Sequence, residues 1–235
     1  MVNEVVLAIV VGAVSMFLGA LLNRMSPMIL GTLRAKIQRL RWKAYILDEY
    51  PNRDLMVRLK QNSEVHILGR RHRVTGFVVL DHLGEKGYVF WLTTNGLVRW
   101  LEFRKSEIIL WGEWTDPDLW GDSATERKQP GPILVRTIEE MKGPPLIELD
   151  GVRALIVDRR SSSRARLIWG RWARDVAYEE TVYDFVDAIV VDGEKEATVD
   201  GRRVYTTLGA YGGQAVFDEI LVGNELRSAH IEVLT

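Results

Sequence analysis

A run of eighteen residues without a charged side chain, residues 5–22, most constrains how this chain can fold. As an α-helix, a run of this length extends about 27 Å, which is close to the thickness of the hydrocarbon core of a bilayer. A buried helix of comparable length in a water-soluble domain usually carries polar residues on one face. The sequence therefore predicts a transmembrane helix within residues 1–25.

The residues on either side of the run indicate whether it is cleaved and how it is oriented. A secretory signal peptide has basic residues before its apolar run and a small-residue cleavage site behind it. Residues 1–4 contain no basic side chain, and Asn23 and Met25 make a poor cleavage site, so we predict an uncleaved anchor. Because basic residues near a membrane segment stay on the cytoplasmic side, the N-terminus is expected outside and the large C-terminal region in the cytoplasm. The basic residues behind the anchor, which we also predict to contact the membrane surface, are Arg24, Arg34, Lys36, Arg39, Arg41 and Lys43.

Residues 26–50 predict a basic amphipathic helix. Ser26 is a suitable N-cap, Pro27 is a suitable first helical residue, and apolar residues then recur at alternating spacings of three and four. One interpretation is a helix that lies on anionic headgroups. The other is a helix that associates with a second copy, which a face of small residues in the anchor favours because such faces let membrane helices approach closely. These candidate helix-packing residues are Ala8, Gly12, Ser15 and Gly19.

After Pro51 the apolar residues recur with period two, which is typical of β-strands. The clearest example is YVFWLTTNGLVRWLEF, residues 88–103, in which Asn95 and Gly96 separate two runs rich in aromatic and β-branched residues. An Asn-Gly pair accepts the positive φ angles of a type I′ hairpin turn. The first β-meander module is predicted at residues 53–115, with further strands at 64–69, 73–80 and 107–110.

A second group of hairpin signals predicts another β module at residues 145–235, where Asp150-Gly151 and Asp200-Gly201 each separate two short apolar runs. Residues 116–144, rich in proline, glycine and aspartate, predict a linker with a short helix. The predicted fold class is mainly β: a transmembrane helix and an amphipathic helix, followed by two small β-meander or barrel-like modules.

Several short motifs resemble a bacterial β family, the domain-of-unknown-function family numbered 4178. They are RVTGFV at 73–78, FWL at 90–92, NG at 95–96, RWLE at 99–102 and LW at 110–111, with ETVYDFVD at 180–187 resembling the second half of that family. The resemblance implies a β-rich fold and a genetic setting near phage-shock-type membrane stress proteins and polyamine synthases. It implies no catalytic residues, because none are assigned in the family.

Residue types needed for catalysis or metal binding do not converge in the sequence. The four histidines have no spacing typical of a metal site, and the serines at 161–163 lack the strand–turn–helix context of an activated nucleophile. We therefore predict no enzyme activity, no metal and no cofactor. The most concentrated charge in the body lies in DRRSSSRARL, residues 158–167, predicted as a loop. Its arginines are candidates for an anion or partner contact: Arg159, Arg160, Arg164 and Arg166.

The tryptophans have two predicted roles. Trp91, Trp100 and Trp111 lie in predicted strands and are expected in the core, each with a ring N–H that needs a polar partner. Trp114 and Trp120 lie at the linker, where an exposed ring would mark a surface for a partner or for lipid headgroups.

These features together predict a non-enzymatic, single-pass membrane-anchored scaffold or adaptor, a subunit of a membrane-associated assembly. The expected partners are the lipid bilayer and other proteins, in a homo-oligomer or a larger complex. A formal net charge of −1 argues against nucleic acid, and the absence of cysteine excludes a disulfide framework. The resemblance adds envelope stress as a setting. The alternative is a virion protein that tethers a β module to the internal membrane of a phage.

Overall fold

The computed structural model describes residues 41–121, 127–140, 145–170, 181–211 and 214–234. The chain divides into two units, Met1–Trp42 and Lys43–Thr235, and every described strand lies in the second. In the part of the chain that is described, no helix has the length and apolar character needed to cross a bilayer. The predicted anchor, the predicted helix up to residue 40 and their candidate surface and packing residues lie outside the described residues. These residues are Ala8, Gly12, Ser15, Gly19, Arg24, Arg34, Lys36 and Arg39.

The described residues form mainly β structure, as predicted. The strands are β1 (Glu64–Ile67), β2 (Arg70–His82), β3 (Glu85–Thr94), β4 (Leu97–Phe103), β5 (Ile108–Glu113), β6 (Ile133–Leu134), β7 (Leu146–Leu149), β8 (Val152–Trp169), β9 (Thr181–Asp192), β10 (Lys195–Glu196), β11 (Thr198–Val199), β12 (Arg202–Tyr211), β13 (Val216–Phe217), β14 (Glu219–Leu226) and β15 (Ile231–Leu234). The helices are Arg53–Met56, Pro117–Trp120 and Val135–Glu139, with 3₁₀ turns at Trp42–Tyr45 and Ser228–His230.

Two antiparallel meanders follow each other along the chain. The first is β1–β2–β3–β4–β5 and the second is β7–β8–β9–β12–β14. The meanders join along both edges, because β5 pairs with β14 and β2 pairs with β8. The pairings β2–β3–β4–β5–β14–β12–β9–β8–β2 therefore form a closed circuit of antiparallel strands.

The modules predicted at residues 53–115 and 145–235 match the two meanders approximately, but they do not form separate sheets. Both meanders belong to one sheet, and residues 43–235 form one unit. An unpaired edge strand exposes a row of backbone N–H and C=O groups. The edge strands β5 and β14 pair with each other, and β2 and β8 pair along the stretches that β1 and β7 leave open, so this mutual pairing explains why the modules merge.

The hairpin turns that the sequence predicted have the expected backbone angles. Asn95 and Gly96 have φ values of 47° and 85°, and Asp150 and Gly151 have 48° and 74°. Positive φ at both central residues is the signature of a type I′ turn. The turn between β2 and β3 also has positive φ at both central residues, but its first residue is Leu83, with φ of 51°.

A row of three tryptophans crosses the inner face of the circuit. Trp91 lies opposite Trp100, and Trp100 lies opposite Trp111. A glycine flanks the row on each side, Gly76 opposite Trp91 and Gly223 opposite Trp111. A Cβ atom at either glycine would lie 2.5 Å from an indole carbon, so the rings pack directly on bare backbone. The predicted core role is confirmed for Trp111, which is buried, whereas Trp91 and Trp100 are partly buried and pack against a core cluster.

The predicted amphipathic helix does not extend to residue 50. After the 3₁₀ turn Trp42–Tyr45 the chain turns, and the Tyr50 hydroxyl lies 2.9 Å from the carbonyl oxygen of Lys86 and 3.1 Å from that of Phe103. The Leu47 amide donates to the hydroxyl of Tyr88 at 3.1 Å. These contacts hold the start of the β body against β3 and β4, so the helix prediction is wrong for residues 41–50.

Trp114 and Trp120 are buried, so the interpretation of these rings as an exposed contact surface is wrong. Their rings pack edge to face with centroids 4.9 Å apart, and the Trp120 indole N–H donates to the carbonyl oxygen of Trp114. The two residues bracket the short helix Pro117–Trp120, which folds them back onto the sheet instead of leaving them in an open linker.

A buried ionic cluster fastens this short helix to the sheet. The Arg99 guanidinium donates to both carboxylate oxygens of Asp116, at 2.7 and 2.8 Å, and also to Asp118. Asp118 pairs in turn with Arg70 at 2.5 Å. Asp116 is also the N-cap of the helix, because its side chain accepts the amide of Asp118 at 3.1 Å.

His72 lies beside this cluster and is fully buried, with no hydrogen-bond partner at either ring nitrogen among the described residues. Burial lowers the pKa of His72 to about 4, helped by the charges of Arg99 and Arg70 and opposed by Asp116 and Asp118. The folded protein therefore keeps this imidazole neutral at pH values where an exposed histidine is protonated.

We expect His72 to make the folded state less stable as the pH falls from 6.5 to 4. In this window the unfolded chain binds a proton at His72 and the folded chain does not, so the free energy of unfolding should drop by about 2 to 3 kcal/mol. Denaturant unfolding at a series of pH values should show a smaller drop in the His72→Leu variant. A His72 ring that titrates near pH 6.5 in the folded protein, followed by NMR, would be incompatible with this expectation.

Candidate functional site

Two acids and two arginines meet inside the closed circuit, and we call them the charge cluster. Glu102 accepts hydrogen bonds from Arg104 at 2.8 Å and from Arg160 at 3.3 Å. A carboxylate oxygen of Asp187 lies 3.1 Å from a terminal nitrogen of Arg104 and 2.8 Å from one of Arg160. The Trp111 indole N–H also donates to Glu102, at 2.7 Å. Since β4 and β8 are not neighbours in the circuit, the contact between Glu102 and Arg160 crosses its interior and ties the two meanders together.

A local irregularity in β8 turns Arg160 towards the interior. Leu155 lies opposite Ile189, whereas Asp158 lies opposite Asp187, so β8 carries one extra residue between these pairs. An extra residue of this kind, a β-bulge, exchanges the two faces of a strand. Between this bulge and a second irregularity after Arg160 the even-numbered side chains face inward, and Arg160 reaches the acids from that side.

The charges of the cluster stabilise one another. Burial alone would raise the pKa of Glu102, but the positive charges of Arg104 and Arg160 outweigh it and lower the pKa to about 2. Burial would lower the pKa of Arg104, but the carboxylates of Glu102 and Asp187 outweigh it and raise the pKa. Glu102 and Arg104 are therefore ionised near neutral pH, and the cluster sets two acids against two arginines.

A cavity of about 610 Å³ opens beside the charge cluster. Its apolar lining includes Leu80 and Ile189. On another side the Tyr205 hydroxyl donates to Glu107 at 3.1 Å and accepts from Arg203 at 2.9 Å. Burial raises the pKa of Tyr205 to about 12, so this hydroxyl keeps its proton. The volume lies in the range of sites that enclose small molecules or peptide side chains.

Exposed apolar side chains surround the mouth of the cavity. Leu47 and Val157 line the cavity and are about half exposed. Leu83 is 92% exposed at the tip of the β2–β3 turn, between His82 and Gly84, both of which line the cavity. We call Leu47, Leu83 and Val157 the apolar rim.

Ser163, which lies beside His82, is not an accessible nucleophile. The Ser163 hydroxyl lies 3.3 Å from a ring nitrogen of His82, which is the distance of a serine–histidine pair, but it donates to the carbonyl oxygen of Arg160 at 3.1 Å. Ser163 is also buried, so a substrate could not reach it. Among the residues that the structure describes, no three histidine or acidic side chains are arranged to hold a metal ion.

The structure separates the arginines that the sequence grouped together. Residues 158–167 form part of β8 and not a loop, and of the four arginines Arg160 turns inward while the other three are exposed. Arg160 belongs to the charge cluster and also packs over the ring of Phe185 at 5.0 Å, so it is not a surface cation. Arg159, Arg164 and Arg166 are exposed, and for these three the contact with an anion or partner stays a prediction. Arg41 and Lys43, from the predicted membrane-surface group, are also exposed.

Sequence reasoning missed most of this site. In the sequence Glu102 lies in a predicted strand, and Arg104 and Asp187 lie next to the ends of predicted strands, so all three look like ordinary charged residues. One signal was present: Glu102 and Arg104 alternate with apolar residues on the same face of β4 as Trp100, which packs in the core. A charged pair that shares a face with a core tryptophan indicates a buried ion pair and not a solvent-facing one.

Comparisons with protein-family models, with curated proteins and with solved structures gave no match to this chain. The resemblance to the domain-of-unknown-function family numbered 4178 therefore stays a prediction from the motifs, and the geometry of the site alone supports the function proposed below.

Proposed function

We propose that the protein is a non-enzymatic adaptor, anchored in a membrane by its N-terminal apolar helix, with the β body in the cytoplasm. In this proposal the body docks a segment of a partner protein at the cavity, and the apolar rim forms the outer part of the contact. The observation that carries the proposal is the combination of an open cavity beside the charge cluster with exposed apolar side chains at and near its mouth.

The size of the rim favours a protein partner. A small molecule bound in a cavity of about 610 Å³ would contact the cavity lining and would leave Leu83 in water. A polypeptide that inserts a side chain would also cover the three rim residues, and exposed apolar side chains grouped around a cavity are typical of such docking surfaces.

The position of the cavity along the chain supports a membrane-bound partner. Residues 47–51 line its mouth or lie next to it, and Leu47 follows Leu22, the last residue of the uncharged run, by twenty-five residues. Even fully extended, a chain of that length spans at most about 90 Å. The anchor therefore keeps the cavity within this distance of the bilayer and raises its effective concentration for partners in the same membrane.

The charge cluster supports binding over catalysis. Each acid is neutralised by two arginines at 3.3 Å or less. A general acid or base needs a pKa near the working pH, and that of Glu102 is lowered to about 2. The cluster is suited to hold the two meanders in register and to present a fixed polar surface.

A substitution at Leu83 can test the apolar rim without destabilising the protein, because the left-handed backbone conformation at this position suits asparagine better than leucine. Leucine in the left-handed region brings its Cβ close to the following carbonyl oxygen, whereas asparagine adopts that region readily. We expect Leu83→Asn to raise the free energy of unfolding by about 0.5 to 1 kcal/mol and to reduce the amount of partner retained by the anchored protein. Denaturant unfolding and quantitative co-purification from membranes measure the two effects.

The matched control is Leu146→Asn, since Leu146 is 40% exposed and does not line the cavity. It should leave partner retention unchanged. If Leu83→Asn raises the stability but leaves the amount of retained partner unchanged, the apolar rim does not take part in docking.

Deleting residues 1–25 tests the anchor. We expect the remaining chain to leave the membrane fraction and to keep a β-type circular dichroism spectrum. Retention in the membrane after washing at high salt would show apolar anchoring outside residues 1–25 and would contradict a single N-terminal anchor. Retention that high salt reverses would instead assign the contact to the basic side chains that follow.

A further inference from the structure

The β1–β2 and β3–β4 hairpins separate at the end of β2 and β3 that is remote from the cavity. β2 and β3 pair where Arg73 lies opposite Thr93, but Arg71 on β2 pairs only with β1, and Thr94 pairs with Leu97 of β4. The two hairpins leave between them a groove of about 460 Å³. The groove shares no lining residue with the cavity.

The groove is lined almost entirely by hydrogen-bond donors and cations. Four basic residues in a row open β2, and on the other side the β3–β4 hairpin contributes the Thr93 hydroxyl and the Asn95 amide. The Thr94 hydroxyl already donates to the carbonyl oxygen of Arg71 at 2.5 Å and so joins the two hairpins. The only acid in the lining is Glu64. The donors and cations of the lining are Arg70, Arg71, His72, Arg73, Thr93, Thr94 and Asn95.

The arginines of the groove differ in their pairing. Arg71 donates to Glu64 at 2.9 Å, and Arg70 pairs with Asp118 at 2.5 Å. Arg73 is exposed and forms no ion pair within the described part of the chain. The charge of Arg73 is therefore not neutralised by any described acid. Arg70 and Arg71 each keep N–H donors that are available to a ligand, since a guanidinium has five of them.

A second observation indicates that the groove is built to receive an acceptor. His72 lines the groove and is 1% exposed, yet neither ring nitrogen has a hydrogen-bond partner among the described residues. A buried polar group without a partner costs free energy, and native structures keep few of them. Both ring nitrogens are buried on the face of β2 that also carries Arg70, opposite to Arg71 and Arg73, so an anion would reach this imidazole only from the Arg70 side of the groove.

We propose that the groove is a binding site for a phosphate group, carried by a soluble molecule or by a lipid headgroup. A planar carboxylate is satisfied by one guanidinium fork, whereas a tetrahedral phosphate has oxygens that point in several directions. The groove offers guanidinium groups from one hairpin and hydroxyl and amide groups from the other, so donors approach from two sides. The site goes beyond the proposed docking of a partner and does not depend on it.

Titration of the full chain in a neutral detergent tests the site. Inorganic phosphate and dibutyryl-phosphatidic acid are added separately, at an ionic strength held constant with chloride, and binding is measured by calorimetry. We expect saturable binding that Arg73→Gln weakens about tenfold, as loss of a charge-assisted hydrogen bond implies. Thr93→Val, which keeps the shape of the side chain, should also weaken binding.

The control is Arg153→Gln, because Arg153 is an exposed arginine on β8 outside the groove. It should leave the affinity unchanged. Tighter binding of the phosphatidic acid than of inorganic phosphate would identify a lipid headgroup as the source, and equal affinities would identify a soluble phosphate. Binding that does not saturate, or that Arg73→Gln and Arg153→Gln weaken equally, would overturn the proposal. Because Leu83→Asn alters only the cavity end, failure of the docking proposal would leave phosphate binding intact.

Discussion

Replacing Arg99 by methionine is expected to lower the free energy of unfolding by about 3 to 5 kcal/mol. The variant keeps most of the side-chain volume but removes both hydrogen bonds to Asp116, at 2.7 and 2.8 Å, and the bond to Asp118. The charge of Asp116 would then be buried without a compensating charge. A buried uncompensated charge is the main reason why removing one partner of a buried ion pair is strongly destabilising. Guanidinium chloride unfolding measures the loss.

The matched control for Arg99→Met is Arg159→Met, at an exposed arginine outside any ion pair of the described chain. Its effect should stay within about 0.5 kcal/mol. Adding Asp116→Asn to Arg99→Met should cost less than the sum of the single changes, because the first substitution already breaks the pair. A loss below about 1 kcal/mol for Arg99→Met would mean that the cluster does not fasten the short helix Pro117–Trp120 to the sheet.

Replacing Glu102 by glutamine is expected to cost about 3 kcal/mol near neutral pH. Glutamine keeps an acceptor for the Trp111 indole but removes the charge that faces Arg104 and Arg160. The pKa of Glu102 is lowered from 4.5 to about 2, so its contribution is complete above pH 4.5 and is lost as the pH falls through 2. The difference between the wild-type and Glu102→Gln proteins should therefore shrink steadily across this window.

Glu148→Gln serves as the control, because Glu148 is exposed on β7 and forms no ion pair among the described residues. It should change stability by less than about 0.5 kcal/mol. If the Glu102→Gln difference were constant from pH 7 to pH 2, the ionised state of the cluster would not contribute to stability in the way that its geometry implies.

The local parts of this fold are predictable from the sequence. Asn95-Gly96, Asp150-Gly151 and Asp200-Gly201 each specify a tight turn because their residues tolerate positive φ, and all three turns have it. The flanking alternation of apolar residues then fixes which side chains face the core, as it does for Trp111. Both signals act over a few residues and do not depend on the rest of the chain.

Pairing between distant strands was not predictable in the same way. Any exposed strand edge can pair with any other, and no residue type marks β5 for β14 or β2 for β8. The charge cluster depends on this closure, since Glu102 and Asp187 belong to different meanders. It also depends on the bulge that directs Arg160 inward, and nothing in DRRSSSRARL indicates a bulge instead of a loop. A charged residue that is buried by a strand far away in the chain cannot be distinguished in the sequence from a charged residue that is exposed to water.

The proposed docking surface can be tested most directly by cross-linking from the rim. The chain contains no cysteine, so Leu83→Cys and Leu146→Cys each introduce a single site for a thiol-reactive benzophenone in the full-length protein in native membranes. We predict a discrete cross-linked protein from Leu83→Cys that is absent from Leu146→Cys and is lost when residues 1–25 are deleted. Equal cross-linking from both positions, or none from Leu83→Cys, would contradict an anchored adaptor that docks its partner at the cavity.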